Sequence, residues 1–175
     1  MNNATHPGGF TLVETLVAIS ILLISIIGPM YSVFQAVQST YIARDQLIAT
    51  ALAQEGIEYV QHHRDSNYLY NLQNPSNIVE WLSDLAPCRA GKTCMVDVTV
   101  PDTTPPVTCG STCTPLSLSP TTNIYAYSGP ASRFTRSVKI TDLNANEAIV
   151  TSTVTWVNSH VPFTVTVTEH LYNWL

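Results

Sequence analysis

Charge is scarce in this sequence. Asp, Glu, Lys and Arg make up 11% of its 175 residues, against roughly 25% in an ordinary soluble domain. None of the few Lys and Arg precedes Arg44, and the rest are scattered. Without a basic stripe, a nucleic-acid partner has no electrostatic footprint, so none is expected. Catalytic patterns are missing as well. There is no Gly-x-Ser-x-Gly elbow and no cluster of acid, base and nucleophile. The chain therefore reads as a non-enzyme, with no cofactor, metal or catalytic residue assigned. Helix breakers are absent between Gln35 and Asp65, where no Pro occurs and Gly56 is the one Gly.

The apolar residues, by contrast, are concentrated. Residues 1–9 are short and polar, and from Phe10 to Phe34 the only charge is Glu14. A bilayer core needs about 20 apolar residues in helical form, so residues 10–34 are long enough to span it. A cleavable secretory signal fits poorly. It would carry a basic n-region, a shorter apolar core and a small-x-small cleavage site. Residues 35–65 continue the helix in amphipathic form. Val37, Tyr41, Ile48, Leu52, Tyr59 and Val60 recur at mostly helical spacing, with Ala43, Leu47 and Ala51 beside them. Gln54, Glu55, Glu58, Gln61 and Arg64 fall largely on the other side. At ~1.5 Å per residue this is roughly 80 Å of helix. Gly28-Pro29 interrupts it. Proline removes a backbone hydrogen bond and clashes with the preceding turn, so a kink or a locally unwound stretch is expected there.

Residues 66–175 change character. Asn67 to Asn77 is Asn- and Tyr-rich and reads as loop. Ile78 to Leu85 is expected to form a short helix. Residues 86–122 are irregular and rich in Pro, Thr and Ser, with a strand expected over Met95–Val100. They also hold Cys88, Cys94, Cys109 and Cys113. An even number of clustered cysteines favours disulfides and an oxidising compartment. The spacings are wrong for paired zinc knuckles, and no His lies nearby. Local pairing of Cys88 with Cys94 and Cys109 with Cys113 is preferred, because short loops close at little entropic cost. The nested pairing of Cys88 with Cys113 and Cys94 with Cys109 stays open. Residues 124–174 alternate with period two. Phe134, Val138 and Ile140, then Ala148, Val150, Val154 and Trp156, then Phe163, Val165 and Val167 face one way, with Thr and Ser mostly on the other. This marks a half-buried antiparallel sheet. Turns are expected at Asp142–Asn146 and Asn158–His160. Trp81, Trp156 and Trp174 read as core anchors. His62 and His63 read as solvated surface, as do Glu55 and Glu58. The fold class is α+β: a long N-terminal helix packed on a C-terminal antiparallel sheet.

Gly8-Gly9-Phe10-Thr11-Leu12-Val13-Glu14, followed by an apolar helix, resembles the prepilin cleavage and methylation motif of type IV pilins and type II secretion pseudopilins. The resemblance implies that a membrane-embedded prepilin peptidase cuts after Gly9 and N-methylates Phe10. It also implies that Glu14 sets axial register by pairing with the terminal amine of a neighbouring subunit. The partners implied are other pilin or pseudopilin subunits and a membrane assembly platform. The precursor would sit in the cytoplasmic membrane with its C-terminal domain outside, then enter an extracellular or periplasmic filament. Ala51-Leu-Ala-Gln-Glu-Gly-Ile-Glu58, ending near Arg64-Asp65-Ser66-Asn67, also looks like minor pilins and pseudopilins of the I/V type, so a minor or priming subunit is the first expectation. A major pilin is the alternative within the class. A membrane-anchored adhesion domain that never polymerises is the alternative outside it.

The chemistry of Glu14 supports the resemblance independently. A carboxylate one turn into an apolar helix costs at least a few kcal/mol in a membrane unless it is paired. The nearest candidate cation is an α-amino group on Phe10, which exists only once the leader is removed.

Overall fold

A computed structural model describes Gly9 and residues 11–173. The expectations for residues 1–8, Phe10 and Trp174 lie outside the described residues. One helix, α1, runs over Leu12–Gln73. Residues through Arg44 and residues from Asp45 onward form two compact units.

Within the first unit, helix assignment passes through Gly28-Pro29 without a break. The unwound stretch expected there is absent. Gly28 has no Cβ to meet the proline ring, which removes part of the clash that normally ends a helix before Pro. Ser32 Oγ also donates to Gly28 O at 3.2 Å.

In the second unit, α1 continues past Asp65, where the sequence reading ended it. The Asn residues that read as loop signals act as staples on the chain that returns beside the helix. Asn71 Nδ2 donates to Val79 O at 2.9 Å, and Asn71 Oδ1 accepts from Val79 N at 2.8 Å. One turn earlier, Asn67 Nδ2 donates to Trp81 O at 3.3 Å. The helix stops at Gln73, just ahead of Asn74-Pro75, where a residue before Pro is pushed out of the helical region. Because residues 79–81 lie along these side chains, the short helix expected from Ile78 begins only later, as a 3-10 turn over Ser83–Cys88.

A five-stranded antiparallel sheet faces the second half of α1. It contains β1 (Cys94–Met95), β2 (Val107–Thr108), β5 (Thr135–Asn144), β6 (Glu147–Asn158) and β7 (Val161–Tyr172), in the order β2-β1-β5-β6-β7. Strands β3 (Ser117–Leu118) and β4 (Tyr125–Ala126) form a separate pair. The irregular cysteine region thus adds two short strands to the sheet edge, while residues 125–126 leave the main sheet. The strand expected over Met95–Val100 ends at Met95. Asp97 Oδ1 accepts from Thr99 N and Thr99 Oγ1 at 2.9 and 2.6 Å, which turns the chain away. Disulfides join Cys88 to Cys94 and Cys109 to Cys113.

The β5–β6–β7 register explains the alternation. Arg136 pairs with Val154, Val138 with Ser152, and Ile140 with Val150, and these positions are all buried. Their neighbours on the other face are mostly Thr: Thr151 opposes Thr168, Thr153 opposes Thr166, and Thr155 opposes Thr164. The β6–β7 turn holds Ser159 and His160 at φ 47° and 69°, the two positive values a two-residue hairpin needs to follow strand twist.

Helix and sheet meet closely at Gly56. A Cβ there would lie 2.5 Å from Ser152 Oγ and 3.1 Å from Val138 Cγ2. Around this contact the core divides in two. One part gathers Ile57, Val60, Leu82, Leu85 and Ile140. The other gathers Leu52, Leu116, Phe134, Val154 and Trp156. Trp156 sits between Phe134 and Phe163, with ring centroids 5.9 and 5.4 Å away, and Trp81 is also buried. The helical face differs from the sequence reading. Ala49, Leu52, Ala53, Gly56, Ile57 and Val60 point inward, whereas Leu47 is 73% exposed.

Candidate functional site

The N-terminal segment combines a backbone junction, a cap and an uncovered apolar surface. Gly9 is exposed, with nothing within 4 Å of where a Cβ would stand. An open glycine of this kind can enter a protease groove in extended form without steric penalty. Phe10, the residue after the expected cut, is outside the described residues. Thr11 then caps the helix. Its Oγ1 accepts from Glu14 N at 3.3 Å, and its carbonyl accepts from Thr15 N at 3.2 Å. Thr11-x-x-Glu14 has the spacing of a capping box, a signal that the sequence reading passed over. Glu14 thus stands in the first turn, where a carboxylate favours the helix dipole.

Beyond Glu14, the side chains of residues 12–40 all lie exposed. The hydroxyls among them bond back to their own helix. Thr15 donates to Leu12 O, Ser20 to Leu16 O, and Ser25 to Leu22 O, at 2.9, 2.8 and 2.7 Å. These bonds mask their polarity, so residues 12–34 present mainly hydrocarbon with one carboxylate, Glu14, and exposed Gln35 and Gln38 follow. The helix is long and apolar enough to cross a membrane, and none of its apolar window is buried within the chain. An uncovered apolar surface of this extent requires lipid or other helices around it.

The polar residues of the second unit do other work. His63 is buried, 2% exposed, against the Tyr59 ring at 4.5 Å and 3.8 Å from Asp84. The solvated reading of this residue is therefore corrected: adjacent helical side chains point in different directions, and this one faces the core. His62 does stay exposed, paired with Asp102 at 2.9 Å. That hydrogen bond holds the Asp102 carboxyl below its ordinary value. Glu58 is exposed, but Glu55 is half-buried and pairs with Arg136.

Arg136, 1% exposed, also donates to Leu52 O at 3.1 Å and Val96 O at 2.6 Å. It ties α1, the sheet and the cysteine region at one point. The sequence reading missed it, although it lies in the same period-two register as Phe134, Val138 and Ile140. No group of three His, Cys, Asp or Glu able to hold a metal occurs among the described residues.

Among known families, the prokaryotic N-terminal methylation motif matches residues 6–28. No curated protein and no solved structure matches the chain.

Proposed function

We propose that this chain, whose residues 6–28 carry the type IV pilin and pseudopilin signature, is a minor or priming subunit of a type IV pilus or type II secretion pseudopilus. The signature implies processing by a prepilin peptidase and association with other pilin subunits. Together with the apolar helix, it fits a precursor anchored in the inner membrane. One observation carries the reading. The Gly9-Phe10 junction stands immediately before a helix whose apolar first part, residues 12–34, is exposed throughout, with Glu14 in its first turn.

That junction and the signature support the following sequence of events. The peptidase hydrolyses the Gly9–Phe10 bond and frees the Phe10 amine, which is then N-methylated and stays cationic. The apolar helix next exchanges lipid for sibling helices, a change between two apolar solvents. Glu14 is the exception, since its carboxylate needs a cation in either place. In the filament that cation is the Phe10 amine of a neighbouring subunit, and the pairing fixes axial register. A membrane platform extracts the subunit, and the disulfide-bearing domain stays outside throughout.

The test is processing. Coexpression with a prepilin peptidase is expected to remove nine residues and add one methyl group, read by intact mass. Gly9→Ala is expected to abolish the cut. Cleavage beyond Ile27 would instead mark a secretory signal and sink the reading. Assembly is tested separately with Glu14→Val. This variant is expected to insert and be cleaved, yet to be lost from the sheared filament fraction. Removing one member of a buried ion pair costs about 3–5 kcal/mol, and that penalty repeats along the polymer.

A further inference from the structure

A cavity of about 340 Å³ opens in the second unit, between α1, the sheet edge and the proline-rich loop. That is within the range of small-molecule sites, roughly 300–1,000 Å³. Tyr59, Met95, Asp97, Pro106, Val107 and Tyr127 are among its walls, and Asp97 is the one charged lining residue. We propose that this cavity binds a small organic cation, an ammonium group carried on an apolar or aromatic body.

The walls are held in place before any ligand arrives. One disulfide holds the end of β1 to Cys88, and the other closes the loop that leads to Thr114. Thr114 N donates to Met95 Sδ at 3.2 Å, joining that loop to β1 across the cavity wall. Pro105 and Pro106 stiffen another side. A long irregular region could have remained loose, and here it is stapled around a hole. Pre-ordering of this kind lowers the entropic cost of binding.

Charge selects the occupant. The bonds from Thr99 N and Thr99 Oγ1 both go to Asp97 Oδ1, which orients the carboxylate and leaves its second oxygen for a ligand. A neutral apolar ligand would take that carboxylate out of water without a partner, which is costly. An anion would meet direct repulsion. A cation meets Asp97 with charge and the Tyr59 and Tyr127 rings with its apolar body, where cation–π attraction adds to the contact. The charges around the walls are mixed: carboxylates act on Tyr59, and Arg136 acts the other way on Tyr127. Burial raises the Tyr59 phenol above its ordinary value, and Asp102, Asp97 and Asp84 push it the same way. The nearby Arg136 guanidinium is offset by its pairing with Glu55.

The test uses the full chain in non-ionic detergent micelles, labelled with ¹³C at the methionine methyl groups. Met95 lines the cavity, while Met30 lies in the apolar helix and reports partition into the micelle. The probes are benzyltrimethylammonium, benzyl alcohol and benzoate, which share one body and differ in charge. Benzyltrimethylammonium is expected to shift the Met95 methyl resonance saturably, with benzyl alcohol about tenfold weaker and benzoate without effect. Asp97→Asn is expected to lower the affinity for the cation about tenfold, the rings alone remaining to hold it. Equal binding of cation and alcohol, or a Met95 shift that merely tracks Met30, overturns the proposal. So does unchanged cation affinity in Asp97→Asn. If that variant loses its fold with the Thr99 turn, Val107→Trp decides, since Val107 lines the cavity and a larger side chain there narrows it while leaving Asp97 in place. Loss of the saturable shift in Val107→Trp supports the site, and retention overturns it.

Discussion

Gly56→Ala sets two effects of similar size against each other, and the geometry says which one wins. In an open helix the substitution stabilises by about 1 kcal/mol, because glycine loses more backbone freedom on folding. Here the added methyl would stand 2.5 Å from Ser152 Oγ, 3.1 Å from Val138 Cγ2 and 3.3 Å from Ser152 Cβ. Comfortable carbon contacts begin near ~3.5 Å. The Ser152 hydroxyl, fully buried and without a hydrogen-bond partner, can rotate away. Ser152 Cβ and Val138 cannot, because both belong to strands paired along their length. The helix must therefore lift by a few tenths of an ångström over a packed core.

Overpacking of that kind costs about 1–3 kcal/mol, so the net effect is a loss of about 1 kcal/mol against the helix gain. The assay is urea unfolding of residues 45–175, followed by the fluorescence of buried Trp81 and Trp156. Repeating Gly56→Ala in a Val138→Ala background removes the 3.1 Å contact that cannot rotate away, and the penalty is expected to shrink by about 1 kcal/mol, within the usual coupling of touching residues. If Gly56→Ala instead raises stability by the full helix-propensity amount, helix and sheet are not in close contact at this point.

Four further outcomes follow. Arg136→Met removes the donors to Leu52 O and Val96 O and leaves Glu55 unpaired; a loss of about 3 kcal/mol in the same assay is expected, and a loss below about 1 kcal/mol would show the tie to be unimportant. Cys88–Cys94 is fully buried and Cys109–Cys113 only half-buried, so mild dithiothreitol followed by mass mapping should open the second bridge first; removing either bridge should cost about 2 kcal/mol. Replacing Ser159-His160 by Asn-Gly, which suit two positive φ values, should stabilise the fragment by about 0.5–1 kcal/mol, and a decrease would mean the turn is of another type. The hydrogen bonds from His62 and His170 hold Asp102 and Glu147 below their ordinary values of 3.8 and 4.5. Because the folded values are depressed, the associated stability is present above the ordinary values and is lost as pH falls through the lowered ones. His62→Ala should therefore raise the Asp102 midpoint in an NMR titration toward 3.8, and an unmoved midpoint would reject the pairing.

Features that repeat along the chain were determined by the sequence alone. The uncharged run after Glu14 announces a helix that needs an apolar surround, because hydrophobicity is a property of each residue wherever it lies. Alternation in β5, β6 and β7 announces a sheet with one buried face, because successive side chains on a strand point in opposite directions. Gly9, Phe10 and Glu14 belong to a signature legible in the sequence because it is a short contiguous stretch, matched over residues 6–28.

Features that depend on what lies across space were decided by the tertiary structure. Asn67 and Asn71 have loop-forming character, yet they extend a helix because Val79 and Trp81 return beside them. His63 faces the core where neighbouring His62 does not. Strands β1 and β2 enter the sheet although each is two residues long, since β1 pairs with β5 and β2 with β1, which supplies what their own length cannot. Arg136 takes a core position only because Glu55 and two carbonyls from distant segments converge on it. A buried cation is stable only where its acceptors already stand, and their positions depend on how the whole chain folds.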